Sequence, residues 1–249
     1  VRVKPSVCAI MLTSGRNELA KRAVDAFRAQ TYDATRRVLV VLDSGAPYWL
    51  HPEVFAENEV IYQFASAGLT IGELRNIAIK LAPATDIIVH WDDDDWSHPN
   101  RITEQVALLQ ESGAEAVGYR EMLFWRERTE SKSGDVEPGQ AWVYFNADQR
   151  YCLGTSLCYW RRVWEKKPFE ALPVARGGTG EDSVFIRDLK TLGIRSTPWV
   201  WAGNFDGDPR MIARIHALNT QDYSREQIKS SPSWTRLPHW DDHCRAVMA

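Results

Sequence analysis

Several features are scarce in this sequence, and each scarcity narrows its function. No apolar run approaches the roughly 20 residues that a helix needs to cross a bilayer, so no integral membrane segment is expected. The first residues, Val1-Arg2-Val3-Lys4-Pro5, lack the apolar core of a secretion signal, which points to a cytoplasmic protein. Cysteine is sparse, with four in 249 residues. Cys152 and Cys158 stand six positions apart, which is not a zinc spacing; Cys8 lies in an apolar strand pattern and Cys244 near the tail. Four reduced thiols are therefore expected. Nor is there an excess of positive charge. The 30 Lys and Arg against 33 Asp and Glu leave a formal net charge of −3, so the chain as a whole is not built to coat nucleic acid or an anionic membrane. Repeats and a clean linker are also missing, which favours a single domain over residues 1–249 with a continuous sheet.

The first hundred residues alternate strand and helix signals. Residues 6–12 form an apolar run ending in the turn Thr13-Ser14-Gly15-Arg16. Asn17 can cap a helix with Leu19, Ala23, Ala26 and Phe27 at helical spacing. Residues 38–42 read as a buried strand ending at Asp43, and residues 60–64 as a third. Thr70 and Glu73 make a capping box that opens a helix to about Leu81. Residues 86–91 form a fourth strand, and Pro99-Asn100 start a helix to about Glu111. Such alternation predicts an α/β fold with a largely parallel central sheet flanked by helices, whose ligands bind beyond the carboxyl ends of the strands.

The second half is less regular. Residues 114–119, 122–125, 142–145 and 153–160 look like strands, and 161–166 like a short helix. Residues 128–140 are polar and read as a loop. The glycine-rich stretch 175–180 leads into a helix to about Leu192, and the Trp-containing tail 231–249 has no clear place. Eleven tryptophans add a weak hint of sugar or base stacking, and Trp125, Trp142, Tyr144 and Tyr151 are candidates for it.

Chemistry concentrates at Asp92-Asp93-Asp94-Asp95, straight after the apolar strand. Like charges so close repel and call for a divalent cation with hard oxygen ligands, which in turn can bind a diphosphate. On an extended segment Asp92 and Asp94 project to one side and Asp93 to the other, while Asp95 helps cap the turn before Pro99. Glu181-Asp182 open a helix after Gly177-Gly178-Thr179-Gly180; a carboxylate there suits either a general base or a cap. Arg75, followed by Asn76, can reach a diphosphate. His216 ends an alternating run and can complete a metal shell.

Together these residues resemble a GT-A glycosyltransferase of the family 2 type. The likeness runs in order through Thr13 and Arg16, Ala29-Gln30-Thr31-Tyr32, residues 40–45, Gly72 with Arg75-Asn76, the DXD segment 91–99, and Gly180-Glu181-Asp182-Ser183-Val184-Phe185. The resemblance implies a GT-A fold, with residues 1–113 holding a nucleotide-sugar and 114–230 an acceptor. It implies that Thr13 and Asp43 hold the base and that Arg75 touches the diphosphate. Asp92 would meet the ribose or a metal-bound water, and Arg16 and Asp93 would join the donor site. Asp94 would bind Mn2+ or Mg2+, and His216 would be a further metal or diphosphate contact. Asp182, beside Glu181, would deprotonate the acceptor.

There are departures. The family's Pro-Thr-Tyr-Asn turn is Leu12-Thr13-Ser14-Gly15 here, so an aromatic stack on the base is missing there. The Gln-x-x-Arg-Trp motif of processive synthases is absent, so single transfer is expected. The reading is inverting transfer from a nucleotide-diphosphate donor, with a UDP-sugar favoured. The acceptor is a glycan, a lipid-linked sugar, a protein or a modified nucleobase, and the oligomeric state is left open. Two alternatives stand beside it: a sugar-phosphate nucleotidyltransferase, and a non-catalytic module that binds nucleotide-sugars or glycans.

Overall fold

The structure is a computed structural model that describes residues 4–45, 59–130, 136–148, 151–172, 180–199, 208–216 and 225–249. The glycine-rich residues 175–179 lie outside the described residues, as do residues 217–220 just after His216.

The first half follows the predicted alternation closely. It consists of β1 (Val7–Thr13), α1 (Asn17–Arg28), β2 (Arg37–Asp43), β3 (Val60–Phe64), α2 (Ile71–Leu81), β4 (Ile87–His90), β5 (Trp96–Ser97) and α3 (Arg101–Ser112). Thereafter come β6 (Ala116–Tyr119), β7 (Glu121–Arg126), β8 (Thr129–Glu130), β9 (Val136–Glu137), β10 (Gln140–Phe145), β11 (Cys158–Trp160) and α4 (Arg161–Lys166). The chain continues through α5 (Glu181–Thr191), β12 (Ser196–Trp199), β13 (Met211–Ile215), α6 (Arg225–Ser230), β14 (Trp234–Arg236) and α7 (Asp241–Met248).

A seven-stranded sheet runs in the order β12-β6-β11-β4-β1-β2-β3. All its pairings are parallel except those of β11, which is antiparallel to both neighbours. Alternate residues of β1 face opposite layers, as the strand period requires. Val7, Ala9 and Met11 pack with Ala20, Val24 and Phe27 of α1 and with Ile102 and Val106 of α3. Cys8 and Ile10 pack with Leu74 and Ile79 of α2 and with Phe185 and Leu189 of α5. Helices thus cover both faces, and the strand ends are left to carry the chemistry.

The sheet is not continuous. A second, five-stranded sheet, β14-β10-β7-β13-β5, draws on strands far apart in sequence. The tail belongs to it: β14 pairs with β10, and α7 packs Cys244 and Met248 against Leu123, Trp125 and Ile212. The predicted 128–140 loop holds a short antiparallel pair, β8 with β9. Residues 153–157 are not strand either. A 3-10 turn at Gly154–Ser156 interrupts them, closed by Ser156 Oγ donating to the Leu153 carbonyl at 2.7 Å. Nor does Asn17 cap α1; it is the first helical residue and Arg16 holds the cap position.

The capping box is formed as predicted, with the Thr70 hydroxyl and Glu73 exchanging hydrogen bonds. Gly72 in the first turn of α2 has a steric role. A Cβ there would sit 2.0 Å from the Glu170 carbonyl oxygen. Gly72→Ala is therefore expected to cost about 1–3 kcal/mol of stability, the range for overpacking. Chemical denaturation that finds the variant as stable as the parent would refute this. All four cysteines are free and buried. Among the described residues no helix is long and apolar enough to cross a membrane.

Candidate active site

Three strand ends meet at one edge: Thr13 on β1, Asp43 on β2, and the acidic block after β4. Trp91 anchors the block. It is buried against Phe27, donates from Nε1 to the Ala23 carbonyl at 2.9 Å, and carries the Arg101 guanidinium over its ring at 5.0 Å.

The four aspartates do not alternate as on a strand, because the backbone bends at Asp93 and Asp94. The expectation that Asp93 faces away from Asp94 fails for this reason. Arg16 grips both, reaching Asp93 Oδ1 at 2.8 Å and Asp94 Oδ2 at 3.0 Å. His216 Nε2 lies 3.0 Å from the same Asp94 oxygen, although 122 positions separate them in sequence. Asp95 does not cap the turn before Pro99. It accepts from the Thr155 hydroxyl at 2.6 Å and from the Arg214 backbone N–H at 3.0 Å.

Electrostatics match this crowding. Burial, opposed by Arg16, lifts the Asp93 carboxyl to about 7. Burial also raises Asp92, with Arg75 opposing and Asp94 adding to the rise. Asp95 is pushed well up by burial and then by Asp94 and Asp92. Asp93 Oδ2 and the Thr13 hydroxyl are buried without a well-formed hydrogen bond. Asp43, 1 % exposed, accepts from Gly45 N at 2.8 Å and from the Tyr62 hydroxyl at 2.7 Å.

The second acidic element lies within electrostatic reach of the first, Arg75 acting on Asp92 and on Asp182. Arg75 Nε donates to Glu181 Oε1 at 2.7 Å, both side chains being buried. Burial works against the Arg75 charge, and Glu181, Asp92 and Asp182 more than offset it, so its pKa is raised. Asp182 lies against Gly154, where a Cβ would come 1.6 Å from its Oδ2. Burial first, then Glu181, lifts the Asp182 carboxyl to about 6, with Arg75 opposing. The Tyr151 hydroxyl, 3.3 Å from Ser183 Oγ, is raised to about 12 by burial and then by Asp182.

Asp94 and His216 can hold a cation. No cluster of three or more His, Cys, Asp or Glu suited to a metal forms among the described residues. The Asp94 carboxylate nevertheless suits Mn2+ or Mg2+, which keep several shell positions for water and substrate phosphate oxygens, and the His216 imidazole can add one nitrogen donor.

No protein-family model matches the sequence, nor does any curated protein. Solved structures do. The S. aureus TarS 1-349 fragment matches with a TM-score of 0.59 and 14% identity, over 84% of this chain and 60% of that one. The same fragment in complex with UDP-GlcNAc matches with a TM-score of 0.59 and 13% identity, over 91% of this chain and 61% of that one. The mannosyltransferase PcManGT from Pyrobaculum calidifontis, in complex with GDP-Man and Mn2+, matches with a TM-score of 0.56 and 16% identity, over 83% of this chain and 59% of that one. The fold is GT-A.

Within this GT-A fold, Arg16 and His216 meet at Asp94, while Arg75 pairs with Glu181 and lies within electrostatic reach of Asp92 and Asp182. Thr13 and Asp43 lie at adjacent strand ends. Asn76 is structural: its side chain links Phe169 to the Trp164 indole. Trp125 and Trp142 are buried in the second sheet and are not free to stack, whereas Tyr144 and Tyr151 stay partly exposed.

Sequence reasoning passed over Arg101 and Thr155. Arg101 is fully buried behind the acidic block, donating to Ser97 Oγ and to the His90 and Thr155 carbonyls. A signal was present, since a cation at the first position of a helix opposes the helix dipole.

Proposed function

We propose that the chain is an inverting, metal-dependent glycosyltransferase that moves one sugar from a nucleotide-diphosphate donor to an acceptor hydroxyl. The observation that carries this reading is the buried Arg75, which pairs with Glu181 and feels both Asp92 and Asp182. It lies within electrostatic reach of both a cation-seeking element and a candidate base, as suits displacement of a diphosphate.

Thr13 and Asp43 flank the base, and Asp92 meets the ribose or a metal-bound water. Arg16 and Arg75 offset charge on the diphosphate, and Asp93 orients Arg16. Mn2+ or Mg2+, held by Asp94 and His216, would add a Lewis acid that neutralises the leaving group. Asp182 takes the acceptor proton as the acceptor oxygen attacks C1 from the face opposite the nucleotide; the C1–O bond to the diphosphate breaks and the nucleoside diphosphate leaves. A UDP-sugar is the favoured donor, in line with TarS bound to UDP-GlcNAc; PcManGT, bound to GDP-Man and Mn2+, makes a GDP-sugar the next to try. Acceptors fall on the side of Tyr144 and Tyr151. The two halves, 1–113 and 114–230, divide donor and acceptor binding, and the tail 231–249 braces the second sheet.

The test is a thermal-shift panel of nucleotides and nucleotide-sugars with and without Mn2+, followed by detection of free nucleoside diphosphate from the compounds that bind. True donors raise the melting temperature, since they bind only the folded state. Binding without turnover across a broad acceptor panel would replace the enzyme by a binding module. Pyrophosphate released from UTP and a sugar phosphate would replace it by a nucleotidyltransferase.

A further inference from the structure

The 3-10 turn Gly154–Ser156 lies between the two acidic elements and touches both. On one side the Thr155 hydroxyl donates to Asp95 Oδ2 at 2.6 Å. The other oxygen of Asp95 accepts from Arg214 N at 3.0 Å, and Arg214 Nε donates to the Asp94 carbonyl at 3.2 Å. Two residues beyond Arg214 stands His216, which meets Asp94. Asp95 therefore fastens the acidic block to β13 and sets where Asp94 and His216 come together. On the other side, Gly154 is the floor on which the Asp182 carboxylate rests.

The turn itself is held from every direction. His90 Nδ1 donates to the Gly154 carbonyl at 2.7 Å, and Arg101 Nη2 to the Thr155 carbonyl at 3.1 Å. Gln105 Nε2 donates to the Ser156 carbonyl at 2.7 Å, and Tyr119 N to Ser156 Oγ at 2.7 Å. A turn held by three buried side-chain donors to its carbonyls and by one backbone N–H to Ser156 Oγ serves as a fixed reference, and its side-chain link to the aspartate block is the Thr155 hydroxyl.

We infer that Thr155 is a positioning residue whose hydroxyl, through Asp95, registers the Asp94–His216 pair against Asp182. The inference rests on the metal-dependent reading above. It is tested with Thr155→Val, which keeps the shape and removes the donor, and Thr155→Ser, which keeps the hydroxyl. By titration calorimetry Thr155→Val is expected to raise the Mn2+ dissociation constant about tenfold, the low end of the cost of losing a partner behind a metal ligand, because Thr155 acts one residue removed through Asp95. Thr155→Ser should stay within about threefold of the parent, because it retains that partner. Asp95→Ala should weaken Mn2+ binding at least comparably by itself, since it removes the acceptor of both Thr155 and Arg214 N; it carries the test should Thr155→Val fail to fold. The double variant should lose clearly less than the product of the two single losses, since both break the same Thr155–Asp95 bond.

Unchanged Mn2+ affinity in Thr155→Val, or additive losses in the double variant, would overturn the inference alone. A parent protein that binds no Mn2+ in the presence of UDP would instead overturn the functional reading on which it stands.

Discussion

Asp182→Asn is expected to lower kcat by about two to four orders of magnitude, the range for removing a positioned general base. Asparagine has nearly the same shape and can still accept from Ser183 N, which reaches Asp182 Oδ1 at 2.7 Å, so the loss would reflect proton chemistry and not packing. The pH profile makes the prediction sharper. A base works deprotonated, and burial together with Glu181 raises this carboxyl to about 6. In the parent protein kcat/KM should therefore climb about tenfold per pH unit below that value and level off above it, while the variant loses that limb. The raised pKa also serves the reaction, because a carboxylate with a higher pKa holds the acceptor proton more firmly than a solvent-exposed one. Arg75 sets the limit on this rise: its charge opposes it, and the bond to Glu181 fixes where that charge lies. A parent profile that stays flat through pH 6, or an Asp182→Asn variant with parental turnover, would remove Asp182 from the role.

Legibility in the sequence followed the range of the interactions involved. The strands β1 to β4 are apolar runs cut off by polar residues, and the capping box of α2 is a contact over three positions; both are local, and both formed as read. The second sheet was hidden because its pairings are distant. Trp96-Ser97 gains its partner only when Met211-Ile212 arrives from more than a hundred residues away, and Trp142 meets Arg236 across a similar gap. No periodicity within a window reports such a pairing.

The site divided along the same line. Asp92, Asp94 and Asp182 stood out as candidates by charge density and by their place at strand and helix ends. Asp93 was misread because the alternation rule presumes an extended backbone, and the chain bends there to let Arg16 reach two neighbours. Asp95 was misread because its partners, Thr155 and Arg214, come from two separate later segments. Thr155 itself carries no charge and sits in what looked like a continuous strand, so only the three-dimensional arrangement gives it a part.

Asp94→Ala should be the other large loss. The Asp94 carboxylate is where Arg16 and His216 converge, and its charge bears on Asp92, Asp93 and Asp95 alike. If it holds the cation, its removal takes from the departing diphosphate a charge stabiliser that Arg16 and Arg75 do not replace, and kcat should fall at least about a hundredfold. His216→Ala should behave differently. It removes one neutral donor from a shell that water can refill, so it should raise the Mn2+ concentration needed for half activation about 10–100-fold while leaving most of kcat at saturating metal. The two variants thus separate the residue that carries the charge from the one that tunes affinity, provided both are first shown to melt near the parent temperature. An Asp94→Ala variant that keeps parental turnover, together with a parent indifferent to chelation of divalent ions, would mean that Arg16 and Arg75 neutralise the leaving group unaided and that the acidic block serves only to hold Arg16 in place.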